Sequence, residues 1–317
     1  MNIEEQKLVS IIVITYNSSA FVLETLESVK AQTWTNLELI ISDDGSTDGT
    51  VSLCEQWIKE NSSRFVRTKL ITVDNNTGIP ANCNRGVKAS NGEWIKLLAG
   101  DDLLTINSVE SYMQNVNEDF DVIIGQFRGF HMEKNQRILS NQLTPSESSA
   151  FFFYRDASFQ HKYLLLYRPG FAAGAYIRRN VFDRVCYYDE RFHLMEDLPF
   201  WLNVTKAGIC IRLIKEVVAL YRIHDSVSIV SDSRFINIPF HNCTQLFTKE
   251  VLNKEIPWYH LAYWETYYVD KVKFGVILQL FHNKRNRWNQ YVVKAFNALR
   301  LAPYSKSLRN AYYRYIS

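Results

Sequence analysis

Cysteine is scarce in this 317-residue chain, and the five present are scattered, odd in number and never in a Cys-x-x-Cys pair. Neither a disulfide framework nor a zinc site is suggested, and a reducing compartment such as the cytosol is expected. The chain also has no apolar run near the ~20 residues that cross a bilayer. Its opening, MNIEEQKLVS, carries acidic residues where a secretory signal is basic, so neither export nor a membrane span is expected. A third shortage is local: residues 271–317 hold ten Lys or Arg and no Asp or Glu. The net charge of +3 therefore conceals 26 basic against 33 acidic residues in the rest of the chain. Segregation of this kind bears on partners rather than on fold. With 47% hydrophobic and 22% charged residues, the composition is that of a globular protein, which excludes disordered and collagenous classes. The length suits one large α/β domain with a smaller appendage.

Residues 8–16 (LVSIIVITY) form a continuous β-branched run of the kind buried on both faces of a parallel sheet. Phe21, Val22, Leu26 and Val29 then recur at helical spacing, and a second strand pattern, residues 37–42, stops at Asp43-Asp44-Gly45-Ser46. The alternation continues with a helix over 46–60, a strand at 70–73, a helix from Pro80, and a strand at 94–98 ending in Gly100-Asp101-Asp102. A further helix carries Ile106, Val109, Met113 and Val116. Such alternation predicts a mostly parallel, Rossmann-like sheet flanked by helices. After a strand at 121–126, residues 128–160 lose periodicity and read as a long excursion over the active face. Beyond Tyr221 the pattern is helical, with Leu261, Trp264, Tyr268 and Val272 in one helix and Val292, Ala295, Phe296 and Leu299 in another.

In a doubly wound sheet ligands bind outside the carboxyl ends of the strands. Three strand ends here are polar: Thr15-Tyr16-Asn17, Asp43-Asp44-Gly45-Ser46, and Asp101-Asp102. Each alone is weak, because Asp, Gly and Ser dominate turns and helix caps for backbone reasons. The ordered set carries more.

Taken together, IIVITYN, ISDDGSTD, NNTGIPANCNRGV and GEWIKLLAGDD resemble the first half of a family 2 glycosyltransferase of the GT-A fold, and the resemblance extends over roughly residues 8–225. It implies a catalytic domain over 1–225, with a nucleotide-sugar half to about 127 and an acceptor half from 128. A basic, aromatic helical region over 226–317 follows. It also implies that Thr15, Tyr16, Asn17 and Asp44 hold the nucleotide, the Asp44 carboxylate accepting from a uracil N–H. Asp102 would ligate a divalent cation, Mn²⁺ or Mg²⁺, bridging the donor diphosphate, with Asp101 on the ribose or sugar. The family often has an acidic residue where Gly100 stands, and Ala-Arg-Asn where this chain has Asn82-Cys83-Asn84. Asn84 matches that pattern as a donor contact, Arg85 need not replace the missing arginine, and a reading in which Asn82, Asn84 and Arg85 merely face solvent competes.

Downstream, Met195-Glu196-Asp197-Leu198-Pro199-Phe200-Trp201 is similar to the family's acceptor-side segment. Inverting transfer is a single displacement in which the acceptor oxygen loses a proton, so one carboxylate serves as general base. Asp197 is expected in that role with Glu196 assisting; the competing reading is a helix N-terminus that favours acids through its dipole. Arg222 and His224 resemble the Arg-x-His stretch that closes over the diphosphate, His224 as a metal-side group.

The resemblance implies transfer of a hexose or N-acetylhexosamine, from a UDP-sugar before a GDP- or dTDP-sugar, to a glycan or lipid-linked sugar in bacterial surface polysaccharide or O-antigen synthesis. Basic and aromatic residues interleave in the tail (Lys271, Lys273, Lys284, Arg285, Arg287, Lys294, Arg300 with Phe274, Phe281, Trp288, Tyr291, Phe296). That mixture suits the inner face of a cytoplasmic membrane, ahead of packing on the acidic domain and of nucleic acid, which is not expected as a partner. Two rivals remain open. A sugar nucleotidyltransferase would carry a glycine-rich cationic loop after the first strand, which residues 15–19 lack. An inactive nucleotide-sugar-binding protein would bind donor without turnover.

Overall fold

The computed structural model describes residues 7–117, 119–134, 136–223 and 234–300. His224 lies outside the described residues. The chain forms two compact units, Met1–His161 with Pro169–His224, and Lys162–Arg168 with Asp225–Ser317.

In chain order the first unit contains β1 (Val9–Thr15), α1 (Val22–Lys30), β2 (Leu37–Asp43), α2 (Thr50–Asn61), β3 (Arg67–Ile71), α3 (Ile79–Ala89), β4 (Trp94–Ala99) and β5 (Leu103–Leu104). It continues through α4 (Ser108–Asn115), β6 (Val122–Glu133), β7 (Gln136–Thr144), α5 (Ala157–Leu166), β8 (Ala175–Arg178), α6 (Arg179–Val185), α7 (Asp197–Lys206) and β9 (Ile211–Arg222), with α5 passing into the second unit. The strands form one sheet in the order β3-β2-β1-β4-β8-β6-β9-β5, with β7 on β6. Strands β3, β2, β1 and β4 are mutually parallel, and β6 is parallel to β9. The fold is thus the expected mostly parallel sheet with flanking helices. β8 is antiparallel to both β4 and β6, an insertion of four residues too short to leave a pattern in the sequence.

Central position explains composition. β1 and β2 are covered on both faces, and all seven residues of β2 are buried, which is why both are rich in apolar, β-branched residues instead of alternating. Glu38 within β2 is tolerated because Ser10 Oγ, Asn91 N and Arg67 Nη1 all donate to its carboxylate at 2.5–2.7 Å.

The structure corrects several sequence expectations. The third strand spans Arg67–Ile71 rather than 70–73. Ile106, assigned to a helix, precedes α4 and is 63% exposed. Residues 128–144 are not an aperiodic excursion but the outer part of β6 and its hairpin partner β7, with Phe130 opposite Leu139 and Glu133 opposite Gln136. Most of β7 is exposed or half-buried, so no apolar alternation marked it.

The second unit is helical: α8 (Ile238–Phe247), continued by a wide turn over Thr248–Leu252 into α9 (Asn253–Glu255), then α10 (Leu261–Gln279) and α11 (Arg287–Ala298). Side chains cap three of these helices, Asn237 accepting from Phe240 N, His260 from Tyr263 N and Asn286 from Asn289 N. Asp270 pairs with Lys273 and Arg300 at 2.5 Å each, so these two cations of the basic segment are used internally. No described helix is long and apolar enough to cross a membrane.

Candidate active site

The carboxyl ends of β1, β2 and β4 build one side of the site. Thr15, last in β1, is buried and donates its hydroxyl to Asp43 Oδ2 at 2.7 Å, while its carbonyl accepts from Asp44 N at 2.9 Å. Asp43 also accepts from Ser46 N at 2.8 Å and Ser46 Oγ at 2.5 Å. Asp43 therefore shapes the turn. Asn17, at φ 51, accepts from Thr47 N at 2.8 Å and its own N–H donates to Ser46 Oγ at 2.8 Å, which locks the β1 end onto the β2 end. Tyr16 between them is 45% exposed and available to a ligand.

Asp44 is buried and saturated from within the chain. Its Oδ1 accepts from Thr77 Oγ1 and Arg85 Nη2 at 2.6 Å each, and its Oδ2 from Thr77 N at 3.0 Å and Gly78 N at 2.8 Å. A base N–H reaching this carboxylate would have to displace one donor, and Arg85, on the longest side chain, is the one able to withdraw. Asn82 and Asn84 are each 3% exposed, which overturns the solvent-facing reading. Asn84 donates to Tyr188 O at 3.0 Å and Glu190 Oε1 at 2.8 Å and accepts from Tyr188 N at 2.9 Å. Both its N–H bonds are thereby made to the acceptor-side segment.

The Asp101-Asp102 pair follows β4 at a tight crossing. Gly100 N donates to Ile14 O at 2.9 Å, and a Cβ at Gly100 would lie 2.8 Å from Thr15 Cγ2. A side chain there would require Thr15 to shift. Arg222, ending β9, braces the pair: its N–H donates to Asp102 Oδ1 at 2.8 Å and its Nε to Asp101 O at 2.8 Å. Its guanidinium is buried between the Phe21 and Phe130 rings, 4.7 and 4.5 Å from their centroids, and pairs with Glu24. Arg222 thus shapes the acidic turn.

Burial and the neighbouring Asp101 charge push the Asp102 carboxyl up to about 8. Lys96 partly offsets this. Its side chain, fully buried in β4, donates to Ala173 O at 2.5 Å and lies 5.3 Å from the Tyr176 ring centroid, and burial pulls its ammonium down to about 7. Sequence reasoning passed over Lys96; the available signal was a lone cation inside the apolar run WIKLLA. A carboxylate with too little positive charge around it is where a hard divalent cation fits, one or two protein oxygens being completed by phosphate and water. Among the described residues no group of three His, Cys, Asp or Glu could hold a metal by itself, so donor oxygens would be needed to complete the shell.

The opposite side opens at α7. Glu196 and Asp197 begin this helix, and Asp197 Oδ1 accepts from Leu198 N at 2.6 Å. A helix N-terminus favours ionised acids by ~0.3–1 kcal/mol, yet burial wins: it raises Asp197, and with the Asp197 charge it raises Glu196 to about 8. The two sides meet electrostatically. Apart from burial, the Tyr221 hydroxyl is raised by Asp102, Asp101 and Glu196, and the Cys83 thiol by Glu196 and Asp44. The segment before α7 also touches the base-side turn, Ile79 N donating to His193 O at 2.9 Å.

Acidic strand ends at the carboxyl edge of a doubly wound sheet, with a carboxylate pair at a helix start, have the layout of a ligand-binding site. The chain belongs to glycosyl transferase family 2, whose model matches residues 10–185. It is 31% identical over 125 residues to the glycosyltransferase GlyG of Streptococcus pneumoniae, a match covering 39% of this chain and 40% of that protein. The chain thus spans less than half the length of that curated relative. It is 26% identical over 220 residues to the Escherichia coli UDP-Glc:alpha-D-GlcNAc-diphosphoundecaprenol beta-1,3-glucosyltransferase WfaP, covering 69% of this chain and 78% of WfaP. Among solved structures, TarS of S. aureus (residues 1–349, in complex with UDP-GlcNAc) superposes with a TM-score of 0.56 at 19% identity, covering 81% of this chain and 70% of that one. At that identity the likeness concerns the fold.

Proposed function

We propose that this protein transfers a hexose or N-acetylhexosamine from a UDP-sugar to an acceptor hydroxyl with inversion at the anomeric carbon. The observation that carries the reading is the convergence of Asp101, Asp102 and Glu196, whose charges all raise the Tyr221 hydroxyl, with Asp197 next to Glu196 at the start of α7. One pair suits the donor diphosphate and the other the acceptor. The UDP-sugar is favoured over GDP- and dTDP-sugars by the UDP-Glc of WfaP and the UDP-GlcNAc of the TarS complex. The diphosphoundecaprenol acceptor of WfaP likewise favours a lipid-linked sugar here, in surface polysaccharide or O-antigen assembly.

In this mechanism Asp197, ionised, accepts the proton of the attacking hydroxyl. The acceptor oxygen forms the new bond to the anomeric carbon as the bond to the diphosphate oxygen breaks, and the nucleoside diphosphate leaves. Glu196, protonated at neutral pH, donates a hydrogen bond that positions the acceptor. A Mn²⁺ or Mg²⁺ ion on Asp102 would neutralise charge gathering on the departing diphosphate. Tyr16, Asn17 and Asp44 hold the nucleotide, and His224 attends the diphosphate. Because burial raises Asp197, the rate climbs with pH above the ordinary aspartate range. The basic segment rests on the inner leaflet of the plasma membrane, where lipid-linked acceptors lie.

The test is nucleotide release from UDP- and GDP-sugars with Mn²⁺ or Mg²⁺, in wild type, Asp102→Ala and Asp197→Asn. The expected result is metal-dependent turnover of one UDP-sugar. Both variants lose at least roughly a hundredfold, while Asp197→Asn still binds donor by calorimetry. Donor binding without turnover in wild type replaces this reading with that of an inactive binding protein.

A further inference from the structure

We infer that α11 is an interfacial helix whose uncovered apolar edge docks on an anionic phospholipid surface. This rests on the lipid-linked acceptor proposed above and names the element that meets the lipid. Trp288, Tyr291 and Leu299 are 66%, 57% and 67% exposed, and Ala295 is exposed as well. At about 100° per residue these four fall in one sector of the helix. The adjoining sector holds Val292 and Phe296, half-buried, and the fully buried Asn289, and α11 packs on α10. The apolar face is therefore wider than its neighbour covers. On the other edge of the uncovered sector stand Arg287 and Lys294, both exposed, with Lys284 and Arg285 just ahead of the helix.

An exposed apolar stripe edged by cations, with Trp and Tyr in it, is the pattern of a helix lying in a membrane interface. Charge selects the occupant. Residues 271–317 carry ten cations and no acid, so a second copy of the same surface would set like charges together, while anionic headgroups complement it. A nucleic acid would use the cations but leave Leu299 and Ala295 in water. Lys273 and Arg300 are spent on Asp270, so the attraction falls to the cations bordering the stripe.

The experiment is flotation of the full chain with phosphatidylcholine vesicles, with and without phosphatidylglycerol, at low and high salt. Wild type is compared with Trp288→Ser/Tyr291→Ser and with Arg287→Gln/Lys294→Gln. Wild type should bind only the anionic vesicles, more weakly as salt rises. The stripe variant should lose roughly tenfold or more in affinity, and the charge variant about fivefold per cation. Unchanged thermal unfolding excludes misfolding at these exposed sites. Hydrolysis of the UDP-sugar by water, measured on the same preparations, should be equal in all three. Wild type that ignores anionic vesicles overturns the inference, as does a stripe variant that binds them equally well. Self-association or RNA binding lost with the stripe names another occupant and also overturns it. Vesicle binding without any sugar transfer would sink the proposed reaction and leave this surface standing.

Discussion

Replacing Glu196 with Gln should stabilise the metal-free protein at high pH and leave it unchanged at low pH. The Glu196 carboxyl sits at about 8 instead of 4.5, raised by burial and by Asp197. A carboxyl that holds its proton more tightly when folded contributes stability that is whole below its unfolded value and is lost as pH rises through the folded value. The window here runs from about 4.5 to about 8. At about 1.4 kcal/mol per pH unit the span corresponds to roughly 4–5 kcal/mol. Relaxation of the half-buried side chain toward water brings the expected figure to ~2 kcal/mol. Gln reproduces the protonated shape without the titration. Its thermal transition at pH 9 should lie about 4–8 °C above wild type, and at pH 4 the two should coincide. Asp102 titrates in the same window in both proteins, so the difference between them reports on the Glu196–Asp197 pair. Calorimetry at the two pH values decides it: an equal displacement at both, or a variant less stable at pH 9, would refute the charge argument.

Three further substitutions probe how the site is held. Gly78→Ala places a Cβ 2.8 Å from His193 O at φ 98; it should cost ~1–3 kcal/mol by urea unfolding and raise the donor KM, because Gly78 N holds Asp44. Asn84→Ala removes three hydrogen bonds to Tyr188 and Glu190; a loss of ~1–3 kcal/mol is expected, with a raised acceptor KM and an unchanged donor KM. Arg222→Met keeps the backbone N–H on Asp102 but removes the side-chain bond to Asp101 O and the pair with Glu24, and should cost ~2–3 kcal/mol, whereas Arg137→Met, whose pair with the same Glu24 is exposed, should cost less than ~1 kcal/mol by the same measurement.

Much of the fold is legible in the chain because the first half of the sheet is buried on both faces. A strand rich in apolar, β-branched residues such as β1 or β2 carries its signal in its own residues. The hairpin of β6 and β7 escaped notice for the opposite reason: away from the core it has no reason to alternate. β8 escaped because four residues set no period. The site divides similarly. The acidic strand ends stand in consecutive residues, but what surrounds each acid does not. That Asp44 is saturated by Thr77, Gly78 and Arg85, and that Asn84 grips a segment 104 residues away, depends on loops meeting in space.

The sequence by itself determined the alternation of strands and helices, the strand ends at which the acids fall, and the acid-free basic tail. These follow from local periodicity and residue type, and no distant contact alters them. Only the tertiary structure decided which acids are compensated and which are not. Asp43 and Asp44 receive full sets of donors, whereas the buried Asp102 and the half-buried Glu196 and Asp197 have too few and are raised in consequence. The difference is one of desolvation and of partners brought from far along the chain, and neither quantity exists until the chain has folded.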